Sequence, residues 1–286
     1  MNLSSLDLHL SGDLPGAQAD VLRFDWAFHG PRPATWPVQI RTGPQPAAPD
    51  LPEQQVQLPD RTVTLRCTPE QVWIAGDLHL HVTPGGAQVT VPDGAGGDGG
   101  ARDVWALALT ELHRAAGWLP LHAALIGTPT HAVLIGGPSG AGKSTACLRL
   151  RAAGLTVHAE DRAWYQPDGH ALGMDRTLRA YTDSLERFAP DLLPLARTAP
   201  RDPRGKIMLP LQPRPAVTLR GVLLLGEGGA LSGPDRVRHA WELTGVPLTT
   251  AGRGAATHGV QTLLRSVPWG RTTRDTVEAD VRALLH

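Results

Sequence analysis

The sequence predicts an α/β protein in which a small β-rich domain precedes a P-loop domain. A glycine-rich segment at residues 137–144 lies between an apolar run and a helical pattern, the context in which a phosphate-binding loop works. Before it, residues 1 to about 92 alternate short apolar runs with Pro and Gly, which is typical of short strands. We therefore expect two domains, at residues 1–100 and 101–286.

The composition disfavours several classes of protein. The 286 residues carry a formal net charge of zero and no dense run of Lys and Arg, so we expect neither nucleic acid nor a membrane as partner. Cys67 and Cys147 are far apart, which argues against a disulfide framework or a structural zinc site. The chain has no leader pattern and no run near the roughly 20 apolar residues of a membrane span. A cytoplasmic protein is expected.

The first domain is predicted to be largely β. Its apolar runs, each bounded by turn-forming residues, cover residues 6–10, 21–24, 56–58, 63–65, 72–74, 78–82 and 89–91. Residues 92–100 are rich in Gly and follow the last run, so we expect a linker there. A helix should then run from about Asp103, as its cap, to Ala116.

From residue 119 onward the pattern changes to strand, loop and helix. Apolar runs at 121–126 and 132–135 are short and uninterrupted, as expected for strands covered on both faces. A helix at 144–153 should end at Gly154. The remaining predicted elements are strands at 155–159, 163–166, 217–219 and 221–225 and a final helix at 274–285.

Residues 137–144 satisfy the Walker A pattern in full. The glycines let backbone N–H groups form an anion nest, and the following helix adds its dipole. The lysine of such a loop reaches the β- and γ-phosphates, and the next hydroxyl supplies a ligand to Mg²⁺. The predicted nucleotide-binding residues here are Gly137, Ser139, Gly140, Ala141, Gly142, Lys143, Ser144 and Thr145.

Lysine occurs only at Lys143 and Lys206, although the chain has 27 Lys and Arg residues together. A lysine in a chain that otherwise uses Arg indicates a need for a compact, flexible ammonium, so Lys206 is a further candidate for contact with the nucleotide. Neither lysine has the flanking residues of the guanine-reading N/T-K-x-D motif, so ATP is the expected nucleotide.

Two segments flank the loop: residues 121–124, which contain His122, and residues 154–161, which end in Glu160 and Asp161. With them, the chain resembles the HPr serine kinase/phosphorylase family in the phosphoenolpyruvate-carboxykinase-like superfamily. The resemblance covers residues 119–166, with a weaker echo at 204–206 and 217–225. It implies a mixed-sheet P-loop domain of the HPr-kinase type.

The resemblance also implies the roles of the site residues. It places Glu160 and Asp161 where the family has the carboxylate that engages the attacking serine hydroxyl. The family usually has Asp-Asp, so the Glu-Asp pair leaves open which carboxylate engages the hydroxyl and which, with Ser144, holds Mg²⁺. His122 matches a family histidine that orients the acids or touches phosphate. The predicted catalytic residues are Asp161, Glu160, Lys143 and His122.

Three hypotheses about function follow. The first is an ATP- and Mg²⁺-dependent kinase that phosphorylates a serine hydroxyl of a protein or peptide. The second is a non-catalytic ATP-binding adaptor or regulatory module, and the third is a kinase of a small molecule such as free serine. Because HPr-type relatives assemble into rings, a homo-oligomer is among the expected assemblies.

Overall fold

A computed structural model describes residues 1–14, 16–58, 61–93, 99–226 and 230–286 of the chain. Residues 94–98 of the predicted linker therefore lie outside the described residues. Internal contacts divide the chain into two compact units. The first contains Met1–Leu119 and Val246–His258, and the second contains Pro120–Gly245 and Gly259–His286.

The described part of the first unit is built on a nine-stranded sheet. Its elements are β1 (Asn2–Leu6), β2 (Leu8–Gly12), α1 (Gly16–Trp26), β3 (Phe28–His29), β4 (Trp36–Thr42), β5 (Gln54–Gln57), β6 (Thr62–Cys67), β7 (Gln71–Ile74), β8 (Leu78–Thr83), β9 (Gly86–Val91) and α2 (Gly99–Ala115). The strand order is β3-β1-β2-β4-β9-β8-β7-β6-β5. Strands β5 to β9 form an antiparallel meander, while β4 pairs in parallel with both β2 and β9.

Two predictions for the first unit are wrong. Residues 21–24 lie inside α1 and not in a strand, because Ala19, Leu22 and Trp26 recur at helical spacing and bury one face of a helix. Helix α2 begins at Gly99, upstream of the predicted cap Asp103. Ala101 and Val104 are both buried one turn apart, so the buried face of the helix starts before that aspartate.

The division of the chain by contacts also differs from the predicted boundary after residue 100. The first unit continues to Leu119 because α2 packs on α1 and β8. It also includes Val246–His258, where the buried Glu111 carboxylate accepts hydrogen bonds from the N–H and hydroxyl of Thr249, at 2.8 and 2.6 Å. These contacts join residues that are far apart in sequence.

The second unit contains the remaining elements of the described chain. They are β10 (Leu119–His122), β11 (Ala124–Gly127), β12 (His131–Gly136), α3 (Lys143–Ala152), β13 (Thr156–Ala159), β14 (Arg162–Tyr165), β15 (His170–Gly173), β16 (Thr177–Ala180), α4 (Thr182–Phe188), a 3₁₀ turn (Pro190–Leu192), α5 (Leu193–Ala196), β17 (Ile207–Pro210), β18 (Val217–Leu225), α6 (Gly233–Thr244), α7 (Thr250–Ser266), β19 (Trp269–Thr272) and α8 (Val277–Leu285). The division between the two units falls within α7.

The main sheet of the second unit is mixed, so the chain is an α/β protein. Its strand order is β10-β14-β15-β18-β12-β11-β13, with β19 also paired to β18. Strand β18 is parallel to β12 and β19, whereas β11 is antiparallel to both of its neighbours. The Walker A segment follows β12 and the Glu160–Asp161 pair follows β13. In this sheet β11 separates those two strands.

Several predicted elements of the second unit differ in their limits. The run 121–126 forms two strands, because the N–H of Ala123 donates to the carbonyls of Leu121 and Asp161 instead of continuing one ladder. The runs 217–219 and 221–225 form the single strand β18, with a register shift opposite β12. The last helix begins at Val277. None of the helices in the described part of the chain is both long and apolar enough to cross a bilayer.

Candidate active site

The Walker A segment connects β12 to α3, and its shape depends on glycine. Gly140 and Gly142 have left-handed φ values of 81° and 109°, which are unfavourable for residues with a side chain. A Cβ built on Gly142 would also lie 3.2 Å from Nε of Arg274. Helix α3 starts at the next residue, Lys143, so its free N–H groups face the loop. The loop therefore has the form of a cradle for an anion.

Lys143 lies almost fully buried in this cradle. Its Nζ donates a hydrogen bond of 2.8 Å to the carbonyl oxygen of Gly137 and lies 3.3 Å from Nε2 of His122. Burial lowers the pKa of Lys143, while the charges of Asp161 and Glu160 act in the opposite direction. The ammonium is thus held at the loop by one carbonyl and one imidazole.

His122 lies at the end of β10 and connects the lysine to the acidic pair. Its Nδ1 is 3.1 Å from Oδ1 of Asp161, on the opposite side of the ring from Lys143. The imidazole is about half exposed. Burial lowers its pKa, Asp161 acts to raise it, and the charge of Lys143 lowers it further. The ring therefore favours its neutral form, in which it can accept a hydrogen bond from Lys143 and donate one to Asp161.

Glu160 is the more buried member of the acidic pair, with a side chain that is 4% exposed. It accepts a short hydrogen bond from the hydroxyl of Ser144, and Nε of Arg179 donates to its other oxygen at 3.1 Å. Burial raises the pKa of Glu160, although Arg179 and Ser144 both act to lower it. The hydroxyl that follows the Walker lysine is therefore in direct contact with a carboxylate.

Asp161 is more open, with a side chain that is 22% exposed. Nη2 of Arg179 donates to its Oδ2 at 3.2 Å, so one guanidinium bridges both acids. Burial lowers the pKa of Arg179, but pairing with Glu160 and Asp161 outweighs it and raises the pKa overall. Arg179 lies on β16 and was missed in the sequence, where it is one arginine among many.

Asp175 is a second residue that the sequence did not predict. Its buried Oδ2 accepts hydrogen bonds from the backbone N–H groups of Glu160, Asp161 and Arg162, at 2.8, 2.8 and 2.9 Å. These donors lie 13 to 15 residues upstream, so no local motif marks the interaction. The carboxylate fixes the backbone of the turn formed by Glu160 and Asp161, which we call the acid turn.

Gly173, at the end of β15, is part of the same support. A Cβ on this residue would overlap the carbonyl oxygen of His158 in β13. The backbones of the two segments therefore approach closely only because residue 173 has no side chain. This approach positions Asp175, two residues later, below the acid turn.

The structure brings five of the sequence-predicted residues into direct contact. Lys143 contacts His122, His122 contacts Asp161, and Ser144 contacts Glu160. The other predicted residues lie in the cradle or directly after it. Gly137, Ser139, Gly140, Ala141 and Gly142 belong to the loop, and Thr145 lies in the first turn of α3.

Lys206 is placed differently from the other predicted residues. Its Nζ lies 5.5 Å from the ring centroid of the exposed Tyr181, in a cation–π contact. Its positive charge also acts to lower the pKa of Lys143, so it contributes to the field at the loop.

The oxygen ligands at the loop suit Mg²⁺. In the described residues, no group of three or more His, Cys, Asp or Glu side chains is arranged as a metal centre. Mg²⁺ commonly uses one or two protein oxygens and completes its shell with water and substrate phosphates. The Ser144 hydroxyl and the Glu160 carboxylate meet that requirement, and a bound Mg²⁺ would replace the hydrogen bond between them.

Comparison with models of protein families finds none that matches this chain. Comparison with curated proteins likewise finds no match. The function is therefore argued from the geometry of the site.

Proposed function

We propose that the second unit is a P-loop domain of the HPr-kinase type and that the protein transfers the γ-phosphate of ATP to a serine hydroxyl of a protein or peptide, with Mg²⁺ as cofactor. The proposal includes a cytoplasmic location and leaves the oligomeric state open. It assigns no role to nucleic acid or to a membrane.

The observation that carries the proposal is the set of contacts that links the loop to two carboxylates. Lys143 reaches Asp161 through His122, and Ser144 contacts Glu160 directly. Arg179 then joins the two acids. A loop that only bound phosphate would not require two carboxylates beside it, because like charges repel a polyphosphate. Phosphoryl transfer has a use for both, one for metal binding and one for the acceptor hydroxyl.

The burial of the two acids supports a division of roles. Glu160 is the more buried acid and already contacts the Ser144 hydroxyl, so these two residues would hold Mg²⁺. When bound, the ion would neutralise negative charge on the phosphates. Asp161 is more exposed and is not bonded to Ser144, so an acceptor hydroxyl can reach it. His122 and Arg179 hold Asp161 in orientation.

The reaction follows from this arrangement. The acceptor oxygen forms a bond to the γ-phosphorus as Asp161 takes up the hydroxyl proton. The bond from the γ-phosphorus to the β,γ-bridging oxygen breaks, and ADP leaves. Lys143 and the N–H groups of the loop stabilise the charge on the phosphates.

Transfer of ³²P from γ-labelled ATP to serine-containing peptides tests the proposal. We expect Lys143→Ala to lower the transfer rate by at least about 100-fold, because it removes a charge that stabilises the transition state. Arg238→Ala is the matched control, since Arg238 is an exposed cation on α6 of the same unit. Unchanged transfer by Lys143→Ala would refute the kinase assignment.

The same experiment separates the two alternatives. ATP binding without turnover of any peptide or small hydroxyl compound would identify a non-catalytic adaptor. Labelling of free serine, with no labelling of peptides, would identify a small-molecule kinase.

A further inference from the structure

A groove of about 310 Å³ is lined by residues of the first unit. The sheet contributes Gln54, the first residue of β5, and Cys67, the last residue of β6. The rest of the described lining comes from residues 68–69, from residues 246–248 and from the first turn of α7. The function proposed above gives this groove no role.

Strand β5 is an edge of the nine-stranded sheet, since its only strand partner in the described chain is β6. Just beyond this pair of strands, the N–H of Leu58 donates to the carbonyl of Arg61 at 2.8 Å. Hydrogen-bonded and non-hydrogen-bonded pairs alternate along antiparallel strands, so the backbone N–H and C=O groups of Gln55 and Gln57 point away from β6. These groups can form a ladder with a further extended chain.

The two edges of this sheet differ in their protection against such pairing. Strand β3, at the other edge, has only two residues, and prolines follow it at positions 31 and 33. Short length and proline both prevent the addition of a strand. Strand β5 has four residues, Gln-Gln-Val-Gln, with neither a proline nor a charge among them. It is therefore the edge that is open to a partner.

The groove lies on the buried face of β5 and β6. Gln54 is paired with Leu65, whose side chain is buried, and Cys67 lies two residues further along β6 on the same face. Gln54 and Cys67 both line the groove. A chain paired with β5 would direct every second side chain toward this face, so some of its side chains would reach the groove.

The lining of the groove combines apolar surface with one cation. Val246 is 83% exposed at the groove, and Pro69, Pro247 and Leu248 extend the apolar surface. Arg253 is the one charged residue among the described lining, and its exposed guanidinium has no ion pair with another described residue. This combination suits an apolar side chain next to a carboxylate.

We propose that the groove and the free edge of β5 bind an extended peptide segment of a partner protein, with an apolar side chain against Val246 and a carboxylate at Arg253. Antiparallel pairing, as between β5 and β6, brings the C-terminal end of the peptide to Gln54, where the groove lies. The carboxylate is thus an acidic side chain near that end or the C-terminus itself. The proposal concerns the first unit and does not depend on phosphoryl transfer.

Fluorescence anisotropy on the full chain tests the charge preference with two labelled synthetic peptides, KTVTVTLE and KTVTVTLK, both amidated at the C-terminus. We expect the wild type to bind the first about fivefold more tightly, which is the size of an exposed ion pair. Arg253→Glu should reverse this preference, since glutamate repels the first peptide and attracts the second. Arg265→Glu, at an exposed arginine of α7 outside the groove, should keep the wild-type preference.

A third peptide, KTVTVTL with a free C-terminus, distinguishes the two sources of the carboxylate. Binding as tight as that of KTVTVTLE would support the proposal with the terminal carboxylate as the ligand. Weaker binding would support it with the acidic side chain as the ligand.

Gln55→Pro tests the pairing of backbones. It removes an N–H that points away from β6, and the ring obstructs a further strand, so binding of KTVTVTLE should weaken by at least about tenfold. Gln55→Ala keeps the N–H and should bind as the wild type does. Thermal unfolding followed by circular dichroism shows that both variants are folded.

Several results would overturn the proposal. They are the absence of binding to every peptide, an unchanged charge preference in Arg253→Glu, and normal binding by folded Gln55→Pro. Sedimentation provides one more test, because a wild-type dimer that Gln55→Pro dissociates would mean that a second copy of the chain covers this edge.

Discussion

The Walker A loop and the acid turn follow two strands of one sheet, but they are held in place differently. The loop takes its shape from its own glycines, such as Gly140 and Gly142, and from the helix that starts directly after them. The acid turn takes its shape from Asp175, a residue more than twelve positions downstream that accepts hydrogen bonds from both N–H groups of the turn and from that of Arg162. Local sequence determines the first arrangement, and tertiary structure determines the second. The two regions should therefore respond to different substitutions.

Among the variants that compare these two regions, the largest effect is expected from Asp175→Ala, which removes the support of the acid turn. We expect kcat to fall by about 100-fold, because misplacing a catalytic group by about 1 Å has an effect of that size. The affinity for ATP in the absence of Mg²⁺ should remain near that of the wild type, since the hydrogen bonds of Asp175 support the acid turn and none reaches the glycines of the loop. Steady-state kinetics with a peptide acceptor and calorimetry with ATP measure the two quantities.

Two further variants control this prediction. Asp175→Asn keeps an acceptor oxygen without the charge, so it should recover part of kcat. Asp191→Ala removes an exposed carboxylate paired with Arg151 and should leave kcat unchanged. If Asp175→Ala lowers kcat and the affinity for ATP without Mg²⁺ together, the loop and the acid turn are not held in place independently.

A smaller effect is expected from Gly142→Ala, and it should appear in the affinity for ATP instead of in kcat. A left-handed φ costs a residue with a side chain about 1–2 kcal/mol, which corresponds to about tenfold in an equilibrium constant. The added methyl group would also press on Arg274. We expect ATP affinity, measured by calorimetry, to fall by this factor, with kcat at saturating ATP little changed.

Gly233→Ala is the matched control for Gly142→Ala. Gly233 has no left-handed φ, and a Cβ there meets no atom within 4 Å. ATP affinity should be the same as in the wild type. If Gly142→Ala also binds ATP normally, the shape of the loop does not depend on that glycine.

These differences explain which parts of the molecule the sequence could predict. Helix α3 and the strands beside it were expected within one or two residues, because the Walker pattern and Gly154 mark their limits locally. The residues Arg179 and Asp175 were missed, since their partners come from distant strands. The segment of helix α1 was predicted as a strand, because a short apolar run fits both the two-residue repeat of a strand and the 3.6-residue repeat of a helix.

The smallest expected effect is a pH dependence of Mg²⁺ binding that arises from Glu160 in the acid turn. Burial raises the pKa of Glu160 above its usual value of 4.5, and Mg²⁺ binding requires the ionised form. The gain in ATP affinity that Mg²⁺ provides should therefore decrease as the pH is lowered through this raised pKa. Calorimetry across acidic pH, with and without Mg²⁺, measures that gain.

Stability should change with pH in the opposite sense. Because the folded state binds the Glu160 proton more tightly than the unfolded state, this residue contributes stability below pH 4.5 that is lost as the pH rises through the raised pKa. Glu160→Gln, which has no proton to lose, should remove the part of each dependence that comes from Glu160. A Mg²⁺ effect that depends on pH in the same way in the wild type and in Glu160→Gln would contradict the assignment of Glu160 to the metal.

Gly173 has no functional group, yet the close approach of β15 to the His158 carbonyl depends on it. In a library of random point variants selected for phosphoryl transfer, position 173 should accept as few replacements as positions 160 and 161. A mutational scan of this kind would thus mark a residue without a side chain as essential, because the His158 carbonyl already occupies the space that a Cβ would need.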